Sequence, residues 1–169
     1  MARTPALLRM MRISVDGSGY IGDAESWQPP EIAAITEEVR GSATYGTYLE
    51  EMGQQAMQST LTFKGAPSAL FKTYGLLGMG KPIIVRQSKQ AQGVDPIPRT
   101  YKMTAVATSI AQSEQVTGQM DTMTVTFSLN HYEIVEDGKE VLYIDVKNVI
   151  HRIFGNDILA AHRKNIGLA

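Results

Sequence analysis

DTMTVTFSLNHYEI, residues 121–134, alternates with a period of two. Met123, Val125, Phe127 and Leu129 take one side, and Thr122, Thr124, Thr126, Ser128 and Asn130 take the other. Successive side chains of a strand point to opposite faces, so this pattern makes one dry face and one wet face. The wet face is unusual in kind. Solvated strands commonly carry lysine and glutamate, whereas this one carries hydroxyls and an amide and no formal charge. Working outward, AMQSTLTFKG (56–65) repeats the pattern, with Met57, Ser59, Leu61 and Phe63 opposing Gln58, Thr60, Thr62 and Lys64. RTYKMTAVATSIA (99–111) reads as a third strand of the same kind, so hydroxyl-bearing faces are expected over 58–64, 100–108 and 122–130. Lys102 falls on the threonine side of its strand, where it either faces outward or pairs with an acid.

Two readings of these faces stand. One is an ordinary exposed sheet, because threonine has a high strand propensity. The other is the wall of a water-filled channel. The 121–134 segment alone extends about 46 Å at ~3.3 Å per residue. Long, flat, uncharged strand edges on a small monomer invite aggregation, and closing the sheet into a ring of subunits removes those edges.

The rest of the chain supports a mainly β fold. RMMRISVDG ends in the turn dipeptide Asp16-Gly17, and QPPEIAAITEEVRG runs extended from Pro29-Pro30 to Gly41. SATYGTYLEEMGQQ (42–55) holds no sustained period and reads as a loop. APSALFKTYGLLG is the best helix, begun at Pro67 and Ser68, with Leu70, Phe71, Tyr74 and Leu77 on one helical face. PIIVRQS is a strand, AQGVDPIP a loop, EDGKE a hairpin turn centred on Asp137-Gly138, and VLYIDVKNVIHRI extended again. A short helix is expected from near Asn156 to the end. Repeats, low-complexity blocks and linkers are not evident, which makes residues 1–169 one expected domain. The predicted architecture is an antiparallel β-sandwich or barrel with one flanking α-helix.

Bulk composition narrows the function. The 169 residues are 43% hydrophobic, enough for one domain with a core. Sixteen basic residues face 17 acidic ones, a balance that does not suit a tight duplex-binding domain. With no cysteine, disulfides and thiolate metal sites are excluded. Arg9 and Arg12 interrupt the apolar run after PALL too early for a signal peptide, and no run is long enough to span a bilayer, so a soluble protein is expected.

Candidate chemistry is weak. GLLGMGKP (75–82) fits the first seven positions of a phosphate-binding loop, but Pro82 stands where a magnesium-binding Ser or Thr belongs. Its context is also inverted, because it leaves a helix and enters a strand. Helix-ending turns explain Gly75, Gly78 and Gly80 better. His131, His151 and His162 have no partner at metal-ligand spacing, no nucleophile elbow is present, and the carboxylates form no acid–base pair. Catalytic, cofactor and metal residues are therefore all read as none. Trp27, next to two prolines, is read as core or interface.

The C-terminal third, DGKEVLYIDVKNVIHRIFGNDILAAHRKNIGLA, resembles the ending of the major tail tube proteins of contractile-tailed phages, the P2-like tube family. The matching positions are Gly138, Lys139, Glu140, Ile144, Asp145, Asn148, Gly155, Asp157, Leu159, Arg163 and the run Asn165-Ile166-Gly167-Leu168. Upstream, PPEIAAITEEVRGS resembles the family's proline-led strand ending in Arg-Gly, here Arg40-Gly41. The resemblance covers nearly the whole chain and departs in composition over about 80–120.

The resemblance implies hexameric rings whose strands make a continuous inner β-barrel and stack into the inner tube of a contractile tail. Twenty-four strands at about 4.8 Å spacing and ~40° tilt close a barrel roughly 48 Å across at the backbone. The implied partners are further copies of the chain, the tail sheath protein, a tape-measure protein in the lumen, and tail terminator and baseplate proteins. Genomic DNA passes in transit without tight binding, and this chain inserts into no membrane. The implied setting is the virion tail, assembled in the host cytoplasm. Thr60, Thr62, Thr122, Thr124, Thr126 and Ser128 are then expected to line the lumen, where uncharged hydroxyls stay wet without gripping phosphates. Arg40, Gly41, Tyr45, Tyr48, Leu49, Met52, Arg163, Asn165, Ile166 and Leu168 are expected at ring or stacking interfaces. The alternatives are the tube of a genome-free contractile injection particle and a monomeric ligand-binding β-barrel.

Overall fold

The computed structural model describes residues 5–20, 24–42, 45–75 and 80–168. Strands follow one another as β1 (Leu7–Val15), β2 (Ser18–Tyr20), β3 (Ala24–Gln28), β4 (Ala34–Val39), β5 (Tyr48–Gln54) and β6 (Met57–Lys64). A 3₁₀ turn over Ser68–Thr73 leads to β7 (Lys81–Gln90), β8 (Ile97–Gln112), β9 (Thr122–Glu136), β10 (Lys139–Asp145), β11 (Ile150–Ile153), β12 (Asn156–Asp157) and the helix α1 (Ala160–Asn165). Ten strands form one hydrogen-bonded sheet, and β4 and β5 form a separate two-stranded ribbon. The hairpin turns lie where the sequence puts them. Asp16-Gly17 and Asp137-Gly138 both have positive φ at both residues, as a tight two-residue hairpin requires.

The long strands β8 and β9 organise the large sheet. They pair with each other along most of their length, but their other neighbours change midway. Residues 122–129 of β9 pair with β6, which pairs with β3. Residues 131–136 pair instead with β10, which continues to β11 and β12. Residues 97–105 of β8 pair with β7, which continues to β1 and β2. The ten strands therefore divide into an outer sheet, β2-β1-β7-β8-β9-β10-β11-β12, and a four-stranded inner sheet, β8-β9-β6-β3, sharing β8 and β9.

Two bulges sit at the junction. Thr104 opposes His131 while Ala105 opposes Leu129, which leaves Asn130 extra; Ala107 opposes Phe127 while Ser109 opposes Thr126, which leaves Thr108 extra. An extra residue kinks its strand and reverses its side-chain parity. Leu129 and Tyr132 are consequently both buried, with Asn130 and His131 between them half-buried.

One apolar cluster fills the space between the sheets. Ile13, Ile83, Val85 and Met103 enter it from the outer sheet, and Leu61, Phe63, Val125 and Phe127 from the inner one. Each such side chain contributes about 1.5–3 kcal/mol when fully buried. Trp27 of β3 crosses to meet Tyr101 of β8 edge-on at 4.5 Å, and Tyr101 stacks on Tyr132 at 6.3 Å. Trp27 is thus packed against the core. Its indole Nε1 donates to Ser59 Oγ at 2.8 Å, and that hydroxyl donates to the Gln28 carbonyl at 2.9 Å. Ser59→Ala should therefore leave a half-buried indole N–H without its partner and cost about 1 kcal/mol. A chemical-denaturation midpoint for the variant checks it.

Three local expectations are corrected. The segment read as an α-helix from Pro67 is a 3₁₀ turn of six residues. Its three-residue period puts Leu70 and Thr73 together in the core and leaves Phe71 and Tyr74 exposed; Leu77 lies outside the described residues. The stretch read as a loop over 42–55 contains β5. Before the C-terminal helix, Asn156 and Asp157 form a short strand, so the helix begins at Ala160 rather than near Asn156.

Candidate functional site

The inner sheet presents its dry side to the core and a hydroxyl-rich side away from it. Along β6 and the first half of β9, every second side chain is buried and those between are half-buried or exposed. The ladder lines the hydroxyls up in rows: Thr60 faces Thr126, Thr62 faces Thr124, and Gln58 faces Ser128. Thr62 and Thr124 come within 3.4 Å through their hydroxyl oxygens. Thr122 stands opposite Lys64, whose ammonium lies 3.9 Å from Glu25.

Ladder partners the sequence did not single out extend the face. Gln28 and Ser26 of β3 continue the rows of Thr60 and Thr62, and Ser109 and Ala111 of β8 continue those of Thr126 and Thr124. The expected third segment, 100–108, is redistributed. Thr100 and Thr104 lie on the outer sheet opposite β7, and the bulged Thr108 donates to the Thr126 carbonyl at 3.2 Å. Only the bulges separate these hydroxyls from the inner face, and bulges leave no signature in the alternation.

The outer sheet's exposed side is charged, in contrast. Lys102 resolves as ion-paired, its Nζ 3.1 Å from Glu133. One row farther, Arg152 lies 4.0 Å over the Tyr143 ring and holds both oxygens of Glu140 at 2.8 and 3.0 Å. His131 meets Tyr143 edge-on at 4.8 Å, and burial holds its imidazole below the ordinary value against the pull of Asp145 and Glu133. Lys81, the lysine of the phosphate-loop-like stretch, pairs with Asp16 at 3.0 Å. Residues 76–79 of that stretch lie outside the described residues. Among the described residues no group of acids and histidines is gathered for a metal, and no helix is long and apolar enough to cross a membrane.

The expected interface residues fall into two places. Arg40, Tyr45, Tyr48, Leu49 and Met52 are exposed on or beside the β4–β5 ribbon, with Gly41 half-buried at its turn. Neither face of the ribbon is covered, and Tyr45 is fully exposed. At the C-terminus, Asn165, Ile166 and Leu168 are exposed, but Arg163 works inside the subunit. It pairs with Asp157 at 2.6 Å and donates to the Val149 carbonyl at 3.0 Å, fastening α1 to the β10–β11 turn.

These ion pairs carry a pH dependence. Arg152 holds the Glu140 carboxyl below its usual range, and Arg163 does the same for Asp157. A carboxyl lowered in the folded state contributes stability that is present above its unfolded value and lost as pH falls through the folded one. Acidification below the ordinary carboxylate range should therefore loosen the segment from β11 to α1 before the core opens. Amide exchange followed against pH checks this, with earlier release expected in Arg163→Gln.

The phage tail tube protein FII family matches over residues 5–167. The tail tube protein of Escherichia phage P2 is 27% identical, the alignment covering 97% of this chain and 98% of that protein. The major tail tube protein of Serratia phage KSP20 is 24% identical over 91% of each chain. Among solved structures, a chain of the sheath–tube complex of an extracellular contractile injection system, PVC, superposes with a TM-score of 0.60 at 15% identity, covering 78% of this chain and 91% of its own. A chain of the anti-feeding prophage baseplate superposes with a TM-score of 0.51 at 9% identity, covering 79% and 97%. The two structural likenesses speak for the fold alone, while the sequence match spans nearly every residue: the chain belongs to the phage tail tube protein FII family.

Proposed function

We propose that six copies of this subunit close into a ring, that rings stack into the inner tube of a contractile tail, and that the inner sheet's hydroxyl face lines the lumen. The observation that carries the reading is the contrast between the two exposed faces. The inner face is built mainly of Thr, Ser and Gln, with Val106 and Ala111 among them and its lysine partnered, and the outer face carries paired charges. A wall that passes DNA gains from wetness without phosphate affinity, because each cationic contact adds salt-dependent binding and drag.

The sheet edges support ring closure. Among the described residues, β3 pairs with β6 alone, and β8 beyond Ala107 pairs with β9 alone. Unpaired edges at both ends of a four-stranded sheet suit lateral pairing between neighbouring copies, which leaves no edge exposed. The β4–β5 ribbon and the C-terminal Ile166 and Leu168 supply apolar contacts between subunits and rings. The sheath surrounds the tube, a tape-measure protein occupies the lumen before the genome, and terminator and baseplate proteins close the two ends. Assembly takes place in the host cytoplasm.

A genome-free injection particle needs the same tube, and neighbouring genes separate the cases, because only a phage carries a capsid and a terminase. Negative-stain microscopy of the purified protein tests the reading itself. Six-fold rings or hollow tubes are the expected result, and a protein that stays monomeric at high concentration would reject it.

A further inference from the structure

Like charges directly opposite each other destabilise an antiparallel pair. Among the described residues two such pairs stand, of opposite sign, in two strand pairings that are not joined to each other. Arg12 of β1 stands opposite Arg86 of β7, and Glu37 of β4 stands opposite Glu50 of β5. All four side chains are exposed, and none has an ion-pair or hydrogen-bond partner among the described residues. By contrast, Lys64, Lys81, Arg99, Lys102, Arg152 and Arg163 each meet a carboxylate within the subunit. Like charges set directly opposite each other at these two places, with no ion-pair partner among the described residues, are a cost that an isolated subunit does not recover.

The two sites also match in their apolar parts. Tyr48 lies on the Glu37–Glu50 side of the ribbon and is half exposed. Met10 lies beside Arg12 on the same side of β1 and is 75% exposed. A thioether and an aromatic ring make a favourable contact. Arg12 lies across Gly19 of β2, where a Cβ would come within 3.0 Å of its guanidinium. The ribbon has the reach: seven extended residues span roughly 23 Å. Its base is closed at the Ala33 carbonyl, which accepts from the Gln55 amide at 2.9 Å and from Gln54 Nε2 at 3.0 Å.

We propose that the acidic ribbon of one copy seats on the Arg12–Arg86 pair of a second copy, Glu37 and Glu50 meeting the two guanidinium groups and Tyr48 covering Met10. This deepens the interface role given to the ribbon above by naming the surface that receives it. Each like-charge pair is then relieved by the other.

Charge exchange tests it. Glu37→Arg with Glu50→Arg, and separately Arg12→Glu with Arg86→Glu, should each weaken self-association roughly a hundredfold in low salt, since like-charge contact at an interface is strongly unfavourable. All four changes together should restore association. Sedimentation measures it, and circular dichroism confirms that each subunit folds. Two folded double variants that associate as the wild type does would overturn the docking, and so would a folded fourfold variant that fails to recover. A wild type that remains monomeric would overturn it too. A wild type that associates without forming rings or tubes rejects the tube while the exchange still decides the docking, so the two ideas fail separately.

Discussion

Val125→Lys is expected to leave no folded subunit, while Thr124→Lys combined with Thr126→Lys is expected to leave a folded one that assembles. The residues are neighbours in one strand, and only the face differs. Val125 is fully buried, paired across β6 with Leu61 and across β8 with Ile110. A lysine there buries a charge with no partner, at a cost on the order of 5 kcal/mol or more, comparable with the whole stability of a domain. Thr124 and Thr126 are half-buried among Thr62, Thr60, Ser109 and Ala111, none of them charged. Lysines there should change subunit stability by about 1 kcal/mol at most. Their effect falls on passage. In the proposed tube, two cations per subunit, repeated around each ring and along the lumen, form a trap for phosphates that deepens as salt is lowered. Particles carrying the double variant should attach but eject slowly, with partial rescue by added salt. Ejection rate against ionic strength is the measurement. A double variant that unfolds beside a tolerated Val125→Lys would show the faces to be reversed.

Excising residues 34–54 and joining Ala33 to Gln55 through a short glycine linker should abolish tubes and spare the subunit. The hydrogen bond between those two residues brings the cut ends together, so the linker spans little distance. The ribbon buries no side chain, and an isolated two-stranded ribbon is only marginally stable. Its loss should therefore shift the melting temperature by no more than a few degrees, on the scale of about 1 kcal/mol. Microscopy should find single rings or free subunits. Normal tubes from the excised protein would remove the ribbon from the assembly.

How much of this was legible in the sequence follows from which residues have two different sides. Alternation reveals β6 and the first half of β9 because one face of each is dry. The same logic hides β5. Tyr48, Leu49 and Met52 are all exposed, and a ribbon wet on both faces has no period to read. An α-helix is expected over this segment because Leu70, Phe71, Tyr74 and Leu77 fit a 3.6-residue period. Only six residues turn there, and they do so with a period of three. The threonines on 122–128 were identifiable as a face. Their companions on β3 and the far half of β8 were not, because register across a sheet is set by tertiary pairing and by the bulges at Thr108 and Asn130.

Those bulges have a mechanical consequence. In a sandwich of two separate sheets, sliding one sheet over the other breaks only side-chain contacts. Here β8 and β9 run unbroken from the outer sheet into the inner one, so the same displacement must tear backbone ladders or bend covalent chain. The subunit is correspondingly stiff in shear. Load applied to the outer sheet is carried to the inner sheet through two continuous strands rather than through a deformable layer of side chains.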